Sequence, residues 1–441
     1  MSASAAIFLL FYVTGLIMTF RNPYYGVLTY MFHWYNHPPY YWWGDEVPDF
    51  VGGRWSLVIA LATLASWIIH RQKMAPLEKP SYQTSIWLGL MVINMLWVSV
   101  GVAVMPDLSM DKAVEVLKVM ISFLLIASLV RTYKDYKMMI WLLILWTSYW
   151  GFVAWDVGGN RDIGVVAPNA TEENAVSAHV MALMPFFGVY FLNGNRWGKA
   201  LVVLGVPFCI NLIILANSRA TLLGFAAIGM LSVFLFKGKV RFAAILAVLV
   251  AGFLFMHLTN EDFKERQSTE TYDDGSATSR FHIWEGAWEM WKAHPFGVGG
   301  GGFIELSTDY IPEISDSKSQ HNTFVAVGTD WGFFGLFFYL AFLAHTFIVL
   351  ARIKRTASRM PAMAKYSMEA TAVQLALMGL IGAGFFHSRQ YAEVVYWLCA
   401  FALMLQNIMN TEIDQMQKEL NKPISVDVED GTPIISNPVS K

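Results

Sequence analysis

The chain alternates between long apolar blocks and short polar connections over most of its length. A helix of roughly 17 to 25 apolar residues can cross a bilayer, and most of these blocks have about that length. The pattern predicts an all-α integral membrane protein with about twelve transmembrane helices. The blocks are residues 2–20, 55–70, 85–105, 113–130, 138–157, 175–192, 199–216, 220–236, 242–258, 324–350, 366–386 and 391–410.

A further apolar stretch, residues 24–35, is too short to span the membrane by itself. The sequence NHPPYYWWGDEVP follows it and is rich in proline, tyrosine and tryptophan. Aromatic rings of this kind favour the level of the lipid headgroups. We therefore expect residues 24–43 to form an interfacial or re-entrant segment.

The distribution of Lys and Arg predicts the orientation of the bundle. With a cytoplasmic N-terminus, five cytoplasmic loops carry 16 of these residues, and the short loops on the other side carry 6. Because cytoplasmic loops are enriched in Lys and Arg, we expect both termini in the cytoplasm.

This orientation leaves one long extracytoplasmic loop, residues 259–323. We predict a polytopic domain over residues 1–410 that includes this loop and its helices. Residues 411–441 then form a polar cytoplasmic tail, with a short helix and a partly disordered end.

Composition agrees with a membrane protein, since 56% of the 441 residues are hydrophobic and only 15% are charged, against about 25% in a soluble domain. Cys209 and Cys399 both lie inside apolar blocks and form no metal motif. The formal net charge of −2 gives no indication of a nucleic-acid partner.

Arg219 interrupts the apolar sequence at LANSRATLLG, with no acidic residue beside it. An arginine is costly to place in such a stretch, and the predicted orientation puts it in a tight turn on the extracytoplasmic side. Extension of the side chain to lipid headgroups is the simpler role, and binding of a specific anion is the alternative.

The long outer loop contains a predicted helix within GSATSRFHIWEGAWEMWKAHPFG, which ends before Pro295. One face of this helix carries Trp284, Trp288 and Trp291 at helical spacing. Arg280 lies on the same face, which we expect to dock on the membrane domain or its interface. Pairing of Arg280 with a nearby glutamate or a lipid phosphate is the simpler alternative.

Two features follow this helix. The glycine-rich run at residues 297–302 permits close approach of the backbone to a ligand, but it lacks the lysine of a phosphate-binding P-loop. His321 lies where the chain re-enters the membrane, and an imidazole can exchange a proton near neutral pH. One outer surface is thus predicted to collect Arg219, Arg280 and His321, a set suited to a diphosphate.

Three motifs in this region resemble the O-antigen ligase family, which includes O-antigen polymerases and pilin glycosylating ligases. They are NSRAT at 217–221, SR with a following Trp and HPxGxG within 279–299, and HNTF with a following Trp and glycines at 321–335. The resemblance covers roughly residues 175–345. The opening TFRNPYYGVLTYMFHWYNHPP also looks like a subgroup of O-glycosylation ligases.

The resemblance implies a glycosyltransferase of the bacterial inner membrane with its active site on the periplasmic side. Such an enzyme moves a glycan en bloc from undecaprenyl diphosphate to a sugar hydroxyl of lipid A-core, which completes lipopolysaccharide. By resemblance, Arg219 and Arg280 hold the diphosphate, and His321 is catalytic. The resemblance also implies that neither a metal nor a nucleotide cofactor is needed. The expected partners are the two lipid-linked substrates and membrane lipids.

Three further residues are secondary site candidates. Arg161 lies in an outer loop and could reach a phosphate or the glycan, although simple solvation is the alternative. His387 and Arg389 follow the eleventh apolar block on the outer side. They could line the acceptor path, and interfacial anchoring is the simpler role for both.

Other functions stay open at this point. An O-antigen polymerase or a protein (pilin) O-oligosaccharyltransferase would use the same donor with a different acceptor. A flippase or transporter for polyprenyl-linked glycans belongs to a different class, and would be expected to carry ionisable residues near the bilayer midplane together with internal repeats. Neither feature is prominent in the sequence.

Overall fold

The computed structural model describes residues 1–48, 52–74, 76–78, 80–158, 163–236, 238–258, 277–311, 319–421, 426–429 and 432–435. Each of the twelve predicted apolar blocks falls in a helix, which agrees with the predicted all-α membrane architecture. Seven of the described helices are long and apolar enough to cross a membrane. The number of twelve crossings therefore stays a prediction.

The described residues form fifteen α-helices, two of which lie inside the predicted outer loop. They are α1 (Ala3–Arg21), α2 (Tyr24–Tyr35), α3 (Trp55–His70), α4 (Gln83–Gly101), α5 (Pro106–Leu129), α6 (Tyr133–Val157), α7 (Glu173–Asn193), α8 (Arg196–Ala216), α9 (Arg219–Leu235), α10 (Gly238–Leu258), α11 (Ala277–Ala293), α12 (Gly302–Tyr310), α13 (Thr323–Arg359), α14 (Ala364–Gly384) and α15 (Glu393–Leu420).

Polar residues at the block boundaries explain where several helices begin. The side chains of Thr132, Asn195 and Ser218 accept hydrogen bonds from backbone N–H groups in the first turns of α6, α8 and α9. Such caps satisfy amide groups that have no partner inside the helix.

The last helix, α15, forms the centre of the bundle, and nearly all of its apolar part is buried. It packs against α5, α13 and α14 and continues without a break to Leu420. In the tail beyond it, the strands Val426–Glu429 and Thr432–Ile435 pair antiparallel, with Val426 opposite Ile435.

The bundle has two ends, which we name by one residue each. The Arg389 end carries the loops at Asn169, Ser218 and Arg389, and an Arg389 guanidinium N–H donates to the Asn169 carbonyl oxygen at 3.5 Å. The Asp135 end carries the start of α6, where Tyr133 and Tyr136 donate hydrogen bonds to Glu369 at 3.0 and 3.1 Å.

The first three helices connect these two ends. Tyr24 at the start of α2 donates to the carbonyl oxygen of Asp135, so α2 begins at the Asp135 end. The N-terminal amine lies 3.7 Å from Glu46, which follows α2, and α1 therefore begins at the end where α2 finishes. Tyr35, the last residue of α2, contacts Thr147 of α6 and His179 of α7, and α7 begins shortly after Asn169, so that end is the Arg389 end.

This arrangement corrects the prediction for the N-terminal region. Residues 24–43 contain the buried helix α2, which runs from the Asp135 end toward the Arg389 end, and their interfacial or re-entrant placement in the membrane stays a prediction. The helix has 12 residues, a rise of about 18 Å, and polar turns complete the passage. The N-terminus shares an end with Ser218 and Arg389, so a cytoplasmic N-terminus cannot be combined with an outer Arg219. Arg21, at the end of α1, therefore lies at the Asp135 end, which is the end richer in Lys and Arg.

Two helices of the bundle are in very close contact. A Cβ atom added at Gly224 of α9 would lie 2.7 Å from the carbonyl oxygen of Gly379 on α14, and one added at Gly382 would lie 2.8 Å from Cβ of Ala227. Small residues permit such close packing of helices in a membrane. The two helices run antiparallel, so the start of α9 lies beside the end of α14.

Cysteine labelling tests the placement of the N-terminus. Ser2→Cys and the exposed Thr308→Cys should react with a membrane-impermeant maleimide from the same side, and the exposed Ser358→Cys should react from the other. Native Cys209 and Cys399 are buried and give little background. Labelling of the Ser2 and Ser358 variants from the same side of the membrane would contradict the described arrangement of α1 to α3.

Candidate functional site

Arg219 is held by a turn whose sequence explains its shape. Asn217 ends α8 in the left-handed conformation, with φ +51°, and Ser218 caps α9 by accepting a hydrogen bond from Thr221 N–H at 3.3 Å. Asparagine tolerates this conformation better than most residues. Arg219 is therefore the first residue of α9, at the positive end of the helix dipole.

The loop from Phe385 to Ala392 lies beside this turn, because α9 and α14 pack closely and antiparallel. We call it the α14–α15 loop. Residues from two other segments also contact it, so it joins parts of the chain that are far apart in sequence.

Arg280 of α11 contacts this loop through Phe386. Its guanidinium carbon lies 5.7 Å from the centre of the Phe386 ring, a distance at which a cation is attracted to an aromatic face. Trp284, one helical turn later, lies 6.0 Å from the same ring and donates a hydrogen bond to the carbonyl oxygen of Gln320. The outer helix is thereby attached both to the loop and to the segment before α13.

His321 lies directly before α13, in an unusual backbone conformation. Its φ is +47°, a region that non-glycine residues rarely adopt. The next residue, Asn322, caps α13 by accepting hydrogen bonds from the backbone N–H groups of Phe324 and Val325. The His321 ring is half-buried, and its Nε2 lies 3.2 Å from the hydroxyl oxygen of Ser319.

Thr323 joins the start of α13 to the α14–α15 loop. Its hydroxyl donates to the carbonyl oxygen of His387 and accepts from the backbone N–H of Arg389, both at 2.9 Å. This pair of bonds fixes His387 and Arg389 relative to His321.

The charged groups of this region influence one another's pKa values. Burial lowers the pKa of the Arg280 guanidinium, and the positive charge of Arg219 lowers it further. Burial also lowers the pKa of His387 to about 3, with contributions in the same direction from Arg389, His321 and Arg280. His387 is therefore neutral at pH 7, and its contact with Glu172, at 4.0 Å, is not an ion pair there.

Two buried guanidinium N–H groups have no hydrogen-bond partner among the described residues. They are the Nε groups of Arg280 and Arg389. A buried N–H without a partner is costly, and a phosphate oxygen is a well-matched acceptor. The chemistry of these two groups therefore suits an anionic partner.

The structure brings most of the sequence-predicted site residues into one region. Arg219, Arg280, His321 and His387 share one cluster at the Arg389 end. Arg389 is 5% exposed, so it is not an interfacial anchor, and burial lowers its pKa to about 10, which leaves it charged at neutral pH. The sixth candidate, Arg161, lies outside the described residues.

The tryptophan face of α11 docks in part on the rest of the protein, because Trp284 contacts Phe386 and Ala287 is buried, whereas Trp288 is 53% exposed. The glycine-rich run packs against protein rather than facing the cluster: the Gly299 N–H donates to the carbonyl oxygen of Asp330 at 2.9 Å.

Glycines are needed at this contact because the backbones approach each other closely. Gly332 has φ +69°, and a Cβ there would lie 2.3 Å from the carbonyl carbon of Phe296. The run therefore anchors the outer segment to a kink in α13.

Metal binding receives no support from the described residues, among which no group of three or more His, Cys, Asp or Glu side chains could hold an ion. The metal independence of the site nevertheless stays a prediction.

The comparisons with known proteins agree with the sequence motifs. Residues 200–340 match the family model described as O-Antigen ligase, which confirms the family resemblance. No curated protein matches the chain. The matched range includes Arg219, Arg280 and His321, and it supports an enzyme of the O-antigen ligase or polymerase type that uses a lipid-linked glycan. With the seven apolar helices, it indicates a multi-pass bacterial membrane protein.

The residues that sequence reasoning missed are Thr323 and Phe386. Thr323 follows His321 within HNTF, so its motif position was a usable signal. Nothing in the local pattern distinguishes Phe386 from the apolar residues before it, because its role depends on contact with the distant α11.

Replacement of Thr323 by valine tests the connection between α13 and the loop. Thr323→Val should lower the free energy of unfolding by about 1–3 kcal/mol, since two hydrogen bonds are lost and buried polar groups stay unpaired. Thr371→Val is the matched control, because the hydroxyl of this buried threonine of α14 donates to the carbonyl oxygen of Ser367 in its own helix. The measurement is the unfolding midpoint in detergent. Equal midpoints for the two variants would contradict the proposed connection.

Proposed function

Because residues 200–340 carry the O-antigen ligase match, we propose that the chain transfers a glycan en bloc from undecaprenyl diphosphate to a sugar hydroxyl of lipid A-core. The reaction takes place at the periplasmic face of the inner membrane and completes lipopolysaccharide. The observation that carries this proposal is the clustering of Arg219, Arg280 and His321 around the α14–α15 loop, with a buried Arg280 N–H that has no described partner.

The donor is bound through its diphosphate. Arg219, at the start of α9, contributes a guanidinium together with the helix dipole, and both favour an anion. Arg280 contributes the second guanidinium and offers its buried Nε–H. Two arginines held close together repel each other, and a diphosphate between them removes this repulsion. The same groups stabilise the negative charge that grows on the leaving diphosphate.

The transfer exchanges one carbon–oxygen bond for another. The acceptor hydroxyl oxygen attacks the anomeric carbon of the glycan, and the bond from that carbon to the diphosphate oxygen breaks. The bonding electron pair leaves with the lipid diphosphate. The hydroxyl proton passes to His321, which acts as the general base. No metal or nucleotide takes part in this scheme.

His387 has a different role from His321. With a pKa of about 3 it cannot retain a proton at neutral pH, so it is a poor general base. As a neutral imidazole it can still donate or accept a hydrogen bond, and its position between Arg280 and Glu172 suits contact with the glycan or the acceptor. We assign Arg389 to the same loop as a positioning residue.

The competing activities differ in their acceptor or in their chemistry. An O-antigen polymerase would add the glycan to a second lipid-linked glycan, and a protein O-oligosaccharyltransferase would add it to pilin. A flippase would carry the donor across the membrane without breaking the glycan–phosphate bond. The cluster lies at one end of the bundle, which suits chemistry at a membrane surface better than passage through it.

Reconstitution of the purified chain with lipid-linked glycan separates these activities. The acceptors offered are rough lipopolysaccharide, pilin and a lipid-linked repeat unit, and the reaction is run with EDTA. We expect a product with rough lipopolysaccharide. A product with only one of the other acceptors would replace the proposed function by the corresponding alternative, and a requirement for added divalent metal would contradict the proposed mechanism.

Loss of either arginine should strongly impair transfer. We expect Arg219→Ala and Arg280→Ala each to lower kcat by about 100-fold or more, the usual effect of removing one donor that stabilises a transition-state anion. Arg196→Ala is the matched control, because Arg196 is the first residue of α8 as Arg219 is of α9, but lies at the Asp135 end. Wild-type rates in a correctly folded Arg219 or Arg280 variant would refute the assigned role.

Loss of the base should affect turnover rather than donor binding. His321→Ala should lower kcat on the order of 100-fold while the Kd for the lipid-linked donor changes little. The measurements are single-turnover transfer and donor binding by the same preparation, with His294→Ala as the control in the outer segment. Unimpaired turnover would remove His321 from the mechanism, whereas loss of binding alone would make it a donor-binding residue.

A further inference from the structure

A cavity of about 630 Å³ opens between α2, α3 and α5. Most of its lining is apolar, from side chains such as Val27, Ile59 and Ile121, and this volume lies within the range of pockets that bind small molecules. We call it the α2–α3–α5 groove. Several of its lining side chains are exposed at the surface of the bundle, among them Leu57 and Ile121, so the groove is open sideways.

The charged groups of the groove give it an excess of unpaired positive charge. Of its two acids, Glu115 pairs with Lys112 at 3.0 Å, and Glu393 accepts a hydrogen bond from Tyr30. The two cations, Arg54 and Lys118, have no ion-pair partner among the described residues.

Lys118 lies twelve residues from the start of the 24-residue α5, or about 18 Å along the axis. It is the last charged residue of this helix, and apolar residues follow it. Since side chains tilt toward the start of their helix, Lys118 is directed toward the Arg389 end, where Arg54 also lies.

The groove reaches the active-site loops from the side opposite to α9. Asn169, which lines it, accepts a hydrogen bond from Arg389, and Glu393, also in the lining, follows the α14–α15 loop. The arginine at the start of α9 is on the other flank, where α9 packs against α7, α10 and α14. Two amphiphiles could thus approach the α14–α15 loop from opposite flanks without blocking each other.

We propose that the α2–α3–α5 groove binds the acceptor, and that the acceptor is a lipid with phosphate groups near its sugars. Its chains lie along the apolar wall of α2, α3 and α5, and a phosphate binds Arg54 and Lys118. This inference rests on the proposed function, and it adds the place where the acceptor binds. A soluble protein acceptor would have no use for an apolar groove that carries two cations.

Charge-removing variants test the groove. Lys118→Met and Arg54→Gln should each raise the KM for rough lipopolysaccharide about three- to tenfold, and leave the KM for the lipid-linked donor unchanged, as expected for a partly exposed ion pair. Lys292→Met is the control, since Lys292 is an exposed lysine paired with Glu289 in the outer segment. A raised KM for the donor, or unchanged values for both substrates, would overturn the assignment.

A binding measurement makes the test independent of activity. A photo-reactive residue at Ile121 should crosslink to rough lipopolysaccharide in nanodiscs, and Lys118→Met should reduce this yield. The same residue at Leu204, which is 67% exposed on α8, should give little product. Competition by inorganic phosphate or lipid-free core oligosaccharide should be weak. Equal crosslinking by phosphatidylglycerol would show a bulk-lipid contact and overturn the acceptor assignment.

The two measurements separate failure of the groove from failure of the function. Charge-dependent crosslinking of rough lipopolysaccharide without any transfer would refute the proposed activity and support the groove as a binding site for a phosphate-bearing glycolipid. Normal transfer with no crosslinking at Ile121 would support the activity and refute the groove.

Discussion

The close contact between α9 and α14 is the constraint on which the candidate site depends. Glycines at positions 224, 379 and 382 let the two helices approach until a single Cβ would collide with the partner. That approach sets the first residue of α9 beside the loop that follows α14. A cluster of positive groups does not assemble by attraction among its members, so the apolar packing beneath it must hold the groups together. Helices hold the arginines in place, and apolar contacts away from the cluster stabilise those helices.

The sequence was sufficient to predict the helices and the residues of the cluster, but not the way in which they meet. Long apolar blocks with capping residues at their boundaries specify helices locally, and Arg219 and His321 are conspicuous because they interrupt or border such blocks. The α14–α15 loop joins distant segments through contacts such as those of Thr323 with Arg389 and of Arg280 with Phe386. These pairs are distant in the chain and leave no periodic signal.

The N-terminal region shows where hydropathy is least informative. A helix of 12 residues falls below the length expected for a crossing, yet α2 begins at the Asp135 end and leads toward the end that contains Glu46 and Arg54. The protein permits this because α2 is buried between other helices, where Tyr35 bonds to Thr147 and His179, so lipid does not need to cover the polar turns that follow it. Tertiary packing thus overrides the length criterion, and the position of the N-terminus changes with it.

The short α2 also has a consequence for the bundle surface. The α2–α3–α5 groove lies beside this helix, and Gly26, Val27 and Tyr30 of α2 form part of its lining. A transferase that joins two membrane-bound substrates needs two separate approaches to one site, since lipids confined to one leaflet cannot pass each other inside a single narrow entrance. The closely packed pair of α9 and α14 lies on one flank, and the groove beside the short α2 lies on the other. The α14–α15 loop, residues 385–392, lies between these two approaches.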